Sequence, residues 1–278
     1  MEYIVLDRIP HDGLTARSST ELKKTECMLP TRLDLAGTWI DQPYVSCYAP
    51  GWAITISLEP TFEIRERCGL STSTRNVIKR IWPYQLPNMD PETLARLVFC
   101  FENHPEREDG FISGAQDAIG ICVPGLCRHY YDNHFWPERI ETCEDESILQ
   151  WLESHLVMIP MEPRPAGCSV VEGQDINELK VKALAKAADD CWEAILRTDL
   201  PAFSNAYRAS FEAQTAMFPA MIQGSVPSYI NIYKDSVLAY KMPGAGGGGY
   251  LACVVNDADA FSRQHPEAFP LHIRRSGM

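Results

Sequence analysis

Residues 246–249 are four consecutive glycines standing between two apolar runs, and no other feature restricts the fold of this chain as much. Glycine loses more backbone freedom on ordering than any other residue, and four in a row offer a core nothing to grip. What such a run permits is close approach, with bare backbone N–H groups lining a concavity that receives a ligand. The flanks, SVLAYKM before and YLACVV after, read as strands, so the glycines form a loop joining two strands of a sheet. A flexible linker is the plain alternative. Linkers, however, are polar and serine-rich and are seldom bracketed by apolar strands.

The chain has 278 residues, 45% hydrophobic and 22% charged, which is enough for a large core and, at this length, for two domains. Its net charge of -12 argues against a nucleic acid or an anionic membrane as partner. Ten cysteines are scattered without a CxxC pair, so zinc has no ligand set here. Neither a basic-then-apolar N-terminal signal nor an apolar run of membrane-spanning length is found. The expectation is a cytoplasmic protein with reduced thiols.

Patterning predicts a polar leader over residues 1–25 and a strand over 27–36 with one face buried. Further strands are expected over 52–57 and 61–65. Val77, Ile78, Ile81 and Trp82 form a helical stripe over 75–82, behind a Ser/Thr cluster suited to an N-cap. A second helix over 91–103 opens with Pro91 and gathers Leu94, Leu97, Val98 and Phe101 on one face. A third helix spans 113–121, and a strand pair follows over 126–131 and 135–140. An acidic stretch at 143–146 marks a boundary, giving domains over 26–145 and 146–278 after the leader. The second half reads as a strand over 156–160, helices over 176–198 and 200–217, the strands around the glycines, and a last strand over 269–273. That order is α+β, of the split βαβ kind.

Segments distributed through this pattern carry a resemblance. Thr31-Arg32-Leu33-Asp34-Leu35-Ala36-Gly37-Thr38-Trp39-Ile40-Asp41-Gln42-Pro43 resembles the first motif of the GHMP kinases, in the form of their heptose and fucose branch. Gly69-Leu70-Ser71-Thr72-Ser73-Thr74 resembles their second, phosphate-binding motif. Met242-Pro243-Gly244-Ala245-Gly246-Gly247-Gly248-Gly249-Tyr250 is similar to the third. Gly114-Ala115-Gln116-Asp117-Ala118-Ile119-Gly120 is similar to the segment carrying the catalytic aspartate. The resemblance implies a two-domain GHMP kinase-like fold, with a ribosomal-protein-S5-like N-terminal domain and a ferredoxin-like C-terminal one. It also implies ATP and Mg2+ as cofactors, transfer of the γ-phosphoryl group to a sugar hydroxyl, and possible homodimers.

The residues themselves fit phosphoryl transfer, which needs mostly positioning and charge stabilisation. A glycine-led Ser/Thr loop opening a helix aims N–H groups at phosphates, so Gly69, Leu70, Ser71, Thr72, Ser73 and Thr74, with Gly244, Gly246, Gly247 and Gly248, form the expected phosphate site. Asp117 lies among small apolar residues, where a carboxylate is expensive without a partner. By resemblance it orients or deprotonates the acceptor hydroxyl, and Arg32 stabilises charge on the transferred group. Asp41, Gly37 and Gly246 are expected against the acceptor, and Ser73 with Glu102 against the metal.

Two departures stand beside these matches. Only about 25 residues separate Pro43 from Gly69, a shortened nucleotide-binding region that leaves the base poorly enclosed. Ser71 stands where a second glycine would be usual, which strains the loop if its φ is positive. A second function therefore stays open: a weakened or inactive relative that binds a metabolite or supports a partner subunit.

Overall fold

The computed structural model describes residues 29–61, 69–83, 85–104, 111–164, 167 and 169–277. The expected leader, and all but Thr61 of the strand expected over 61–65, lie outside the described residues. Among the described residues the architecture is mixed α+β, with two four-stranded antiparallel sheets flanked by helices.

The first sheet runs in the order β1 (Thr31–Ala36), β2 (Gly51–Leu58), β3 (Leu126–Tyr131) and β4 (Arg139–Cys143). The short helix α1 (Pro43–Ser46) lies between β1 and β2 in the chain. Strand β1 is buried at all six positions, not on one face as its alternation suggests. Both of its faces are covered, so the charges of Arg32 and Asp34 go inside together with Leu33 and Leu35. Pairing with β2 shifts register between Asp34 and Ala36, an irregularity beside the charged pair. The β4 strand falls a few residues later than the 135–140 expected. Asn133 turns the chain at φ +59°, and the Glu138 N–H reaches back to the Tyr130 carbonyl at 2.9 Å before the ladder resumes at Arg139.

Between β2 and β3 come α2 (Thr72–Ile81), α3 (Pro91–Glu102) and α4 (Gln116–Cys122). Helix α3 begins as its sequence signals: Pro91 occupies the first turn and the Asp90 side chain accepts the Thr93 N–H at 2.8 Å. Helix α5 (Glu146–His155), which the patterning did not predict, begins at the acidic stretch. Those acids are its N-terminus, with Asp145 capping the Ser147 N–H at 2.9 Å and Glu146 in the first turn, where negative charge suits the helix dipole.

The second sheet has the order β6 (Ala239–Lys241), β7 (Tyr250–Val254), β5 (Leu156–Pro160), β8 (Phe269–Pro270). Strands β6 and β7 pair antiparallel, Ala239 opposite Val254, so the glycine run does join two strands of one sheet. Helices α6 (Glu178–Leu196) and α7 (Leu200–Met217) form an antiparallel pair that also packs on β1 and β2. Two short helices, α8 (Val226–Tyr233) and α9 (Ala258–Gln264), complete this half. One core cluster joins Leu33, Leu35, Ile54 and Ile56 of the first sheet to Trp192, Phe203 and Tyr207 of the helix pair and Met158 of β5. The helices of the second half thus complete the core beneath the first sheet.

Candidate active site

The site is organised around β1. Arg32 is 3% exposed, and its Nε donates to Asp117 Oδ1 at 2.7 Å, with Nη2 2.5 Å from the same oxygen. Asp117 reaches it because α4 lies flush on the sheet at Gly120. A Cβ there would stand 2.8 Å from the Arg32 Cβ and 3.1 Å from Thr55. The two carboxylates flanking Arg32 raise its pKa against the opposing effect of burial, so the guanidinium stays charged.

Asp41 closes one side. Gly114 makes the room: a Cβ at that position would come within 1.9 Å of Asp41 Oδ2. The same oxygen accepts the Gln116 N–H at 3.4 Å. Burial, and then the charge of Asp117, push the Asp41 carboxyl up to about 7, against the pull of the Gln116 amide and of Arg32. The arrangement sets a buried carboxyl of raised pKa beside an arginine-bound carboxylate, with environments that differ although the residue type is the same.

Asp34, two residues after Arg32, ties the site together. Its Oδ1 accepts Arg32 Nη1 and, at 2.7 Å, the Gly244 N–H. Its Oδ2 accepts Thr38 Oγ1 and Lys241 Nζ. Lys241 is fully buried at the end of β6, and its remaining donors go to the Asp34 carbonyl at 3.1 Å and Thr38 Oγ1 at 3.0 Å. Burial alone would raise the Asp34 pKa. The charges of Lys241 and Arg32 and the hydrogen bonds of Lys241 and Thr38 override it and hold the carboxyl down at about 2.

The loop that opens with Gly69 adjoins this cluster. Gly69 and Gly244, both at positive φ, are nearly in contact: a Cβ on Gly244 would be 2.4 Å from the Gly69 carbonyl oxygen and 3.2 Å from Arg32 Nη2. The second and third glycine segments therefore meet at their first glycines, beside the arginine. Leu70 is fully buried beneath them. Ser71 adopts the left-handed conformation at φ +58°, the strained alternative for a residue with a side chain, and heads α2 without a side-chain cap. From α2, Ser73 Oγ and Thr74 Oγ1 donate to Glu102 at 3.0 and 2.7 Å, and Ser113 Oγ adds a third contact at 3.2 Å. Glu102 ends α3 and is 7% exposed; burial and Asp117 raise its pKa while these hydroxyls oppose the rise. A carboxylate with adjacent hydroxyl oxygens is a donor set that suits a hard divalent cation. Thr72 opens the same helix between Ser71 and Ser73.

Other expected residues are placed differently. The N–H groups of Gly246, Gly247 and Gly249 bond the carbonyls of Pro243, Met221 and Glu162 at 3.3, 3.0 and 2.8 Å. Around them, Met221 fills the space a Cβ would take at Gly246, and Arg164 does so at Gly247 and Gly248. Here the glycines serve packing of backbone on protein, not an open row of amides. Gly37 is similarly enclosed. A Cβ there would strike the Trp52 carbonyl oxygen at 1.9 Å, and its N–H goes to Ser210 Oγ at 3.1 Å. Trp39 stacks on Phe218 with ring centroids 4.4 Å apart, as a core residue.

Sequence reasoning passed over Asp34, Thr38, Lys241 and Ser113. A signal existed for two of them. Asp34 interrupts the apolar run around Leu33 and Leu35, and Lys241 ends the apolar strand before the glycines, so each is a charge in a buried pattern.

Comparison with known proteins bears on the fold. No known family's sequence profile matches the chain. An L-fucokinase/L-fucose-1-P guanylyltransferase of Bacteroides fragilis is 36% identical over 88 residues, a match covering 32% of this chain and 9% of that protein. Among solved structures, the mevalonate kinase of L. major, in complex with R-mevalonate, superposes with a TM-score of 0.59 at 12% identity, covering 91% of this chain and 96% of that one. The Lactococcus lactis galactokinase, complexed with galactose, gives 0.57 at 12% identity over 89% and 92%. A D-glycero-D-manno-heptose 1-phosphate kinase of Bacteroides thetaiotaomicron gives 0.55 at 13% over 90% and 96%. The architecture and these superpositions lead to one conclusion: this chain has the GHMP-kinase fold.

Proposed function

We propose that the chain is a sugar kinase that transfers the γ-phosphoryl group of ATP to a hydroxyl. The observation that carries this reading is the Arg32–Asp117 pair, held beside buried Asp41 where the two glycine segments meet. A charged guanidinium next to a carboxylate is what an attacking hydroxyl and a transferring phosphoryl group require. In this reading Asp117 orients the acceptor hydroxyl and takes its proton. Arg32 stabilises charge developing on the phosphoryl oxygens, and Asp41 hydrogen-bonds the sugar. The loop from Gly69 to Thr74, with Gly244, receives the phosphates, whereas Gly246, Gly247 and Gly248 pack against Met221 and Arg164. Ser73 and Glu102 would hold Mg2+, which supplies charge neutralisation to the phosphates. Residues 26–145 then form the nucleotide half. Residues 146–278, with the order β6–β7–β5–β8, form the ferredoxin-like half.

The test is Asp117→Asn, which keeps size and one hydrogen bond but removes charge and base. With ATP, Mg2+ and a panel of sugars, wild type should turn over, and the variant should lose on the order of a hundredfold or more in kcat with acceptor KM little changed. Equal kcat in the two proteins overturns the role of Asp117. If no sugar is phosphorylated and calorimetry detects no Mg2+-dependent nucleotide binding, the chain is the non-catalytic relative.

A further inference from the structure

We infer that Lys241 and Asp34 form a positioning unit for Arg32, in which the buried ammonium of Lys241 keeps the guanidinium free to act on a phosphoryl group. This inference rests on the kinase reading for its kinetic consequence, but its structural core stands on hydrogen bonding alone. Asp34 accepts from four donors: Arg32 Nη1 and the Gly244 N–H at Oδ1, Thr38 Oγ1 and Lys241 Nζ at Oδ2. A carboxylate surrounded only by donors is ionised, because a proton on it would face another donor. Lys241 uses all three of its hydrogens, on Asp34 Oδ2, the Asp34 carbonyl and Thr38 Oγ1. The single hydroxyl proton of Thr38 goes to Asp34, so its lone pair accepts from Lys241; burial lowers the lysine pKa, and the facing Asp34 carboxylate and the three acceptors favour the ammonium against it.

Charge balance shows what this accomplishes. Arg32 lies between two carboxylates, Asp34 at Nη1 and Asp117 at Nε and Nη2. Without another cation, two negative charges would face one guanidinium, and the cluster would repel an incoming phosphate. Lys241 supplies the second positive charge from the far side of Asp34, within a network from which water is excluded. Geometry is coupled to charge, since the Asp34 oxygen that holds Arg32 also holds the Gly244 N–H. The third glycine segment and the guanidinium are therefore set by one atom. A buried ion pair can instead be merely structural, or even unhelpful to stability, so the test must separate positioning from folding.

Lys241→Met and the milder Thr38→Val, which removes only the hydroxyl bridge, serve as the variants. Phe261→Ala, a core change outside the network, controls for lost stability. The first readout is the Arg32 Nε–H NMR signal, identified by its loss in Arg32→Lys. In Lys241→Met this signal should move and exchange faster with solvent, and in Thr38→Val it should move less in the same direction. In Phe261→Ala it should stay in place. The second readout is kinetic: kcat should fall ~100-fold in Lys241→Met and about tenfold in Thr38→Val, with acceptor KM within about threefold of wild type. An Arg32 signal unmoved in both variants, or moved equally by Phe261→Ala, overturns the inference. So does a wild-type kcat in Lys241→Met. If wild type phosphorylates no sugar, the kinase reading fails by itself and the Arg32 signal still decides this question.

Discussion

Asp41 has a carboxyl shifted from 3.8 to about 7, first by burial and then by the charge of Asp117. A folded-state pKa above the unfolded one means that the folded protein binds this proton more tightly. The resulting stabilisation is complete below pH 3.8 and is lost as pH rises through about 7. Asp34 acts with the opposite sign. Its carboxyl is held at about 2, so its contribution is present above 3.8 and disappears as pH falls through about 2. Asp41→Asn should therefore flatten the decline in unfolding free energy between about pH 4 and pH 7 and leave the acid limb in place. Urea titrations across that range measure it, and an unchanged slope would sink the assignment. At this scale only Asp117 stood out as a charge in a small-residue setting, whereas Arg32 and Asp41 entered through the resemblance to the GHMP kinases. The Asp34–Lys241 pair has the same signature, but the partners lie 207 residues apart, and only the fold brings them together. The glycine run was legible as a loop between strands. What its amides bond was not, because Met221, Glu162 and Arg164 reach it from segments distant in the chain.

At the scale of elements, the Arg32–Asp117 contact depends on how closely α4 lies on β1 and β2. Gly120 sets that spacing, since an added Cβ would press on the Arg32 Cβ at 2.8 Å and on Thr55 at 3.1 Å. Neither obstacle is the end of a flexible side chain, so Gly120→Ala should lift the helix and carry Asp117 away from Arg32. Overpacking of this kind typically costs ~1–3 kcal/mol in stability. A displacement of a few tenths of an ångström at Asp117 should also lower kcat by about tenfold or more in a working kinase. Stability and turnover both equal to wild type would show that the close fit is not required. Elements with local signals, such as α3 with its Asp90 cap and Pro91, were readable from sequence alone. Helices α8 and α9 were not: α8 starts without a side-chain cap, and the cap of α9 at Asp257 heads only seven residues. Helix α5 also went unread, although Asp145 caps it and Glu146 stands in its first turn.

For the whole molecule, the two sheets fall on either side of the α5 start, yet their cores are not separate. Leu33, Leu35, Ile54 and Ile56 of the first sheet share one apolar cluster with Phe203 and Tyr207 of α7 and with Met158 and Val254 of the second sheet. Lys241 and Gly244, from the β6 end of the second sheet, hold Asp34 of the first. Periodicity within each half cannot reveal this, because it shows that a face is apolar but not what covers it. The consequence concerns cooperativity. Phe203 is fully buried, packed edge-on against Trp151 at 5.6 Å and Tyr207 at 5.6 Å between ring centroids. Phe203→Ala should cost ~3–5 kcal/mol through lost burial and the cavity left behind. If the shared cluster makes one folding unit, that loss should appear in both sheets. Amide exchange protection should fall by the same free energy for Ile54 and Ile56 in β2 as for Leu251 and Cys253 in β7. Loss confined to β7, with β2 as protected as in wild type, would instead mark two independently stable halves. In that case the buried link from Lys241 to Asp34 would join two bodies without making them fold as one.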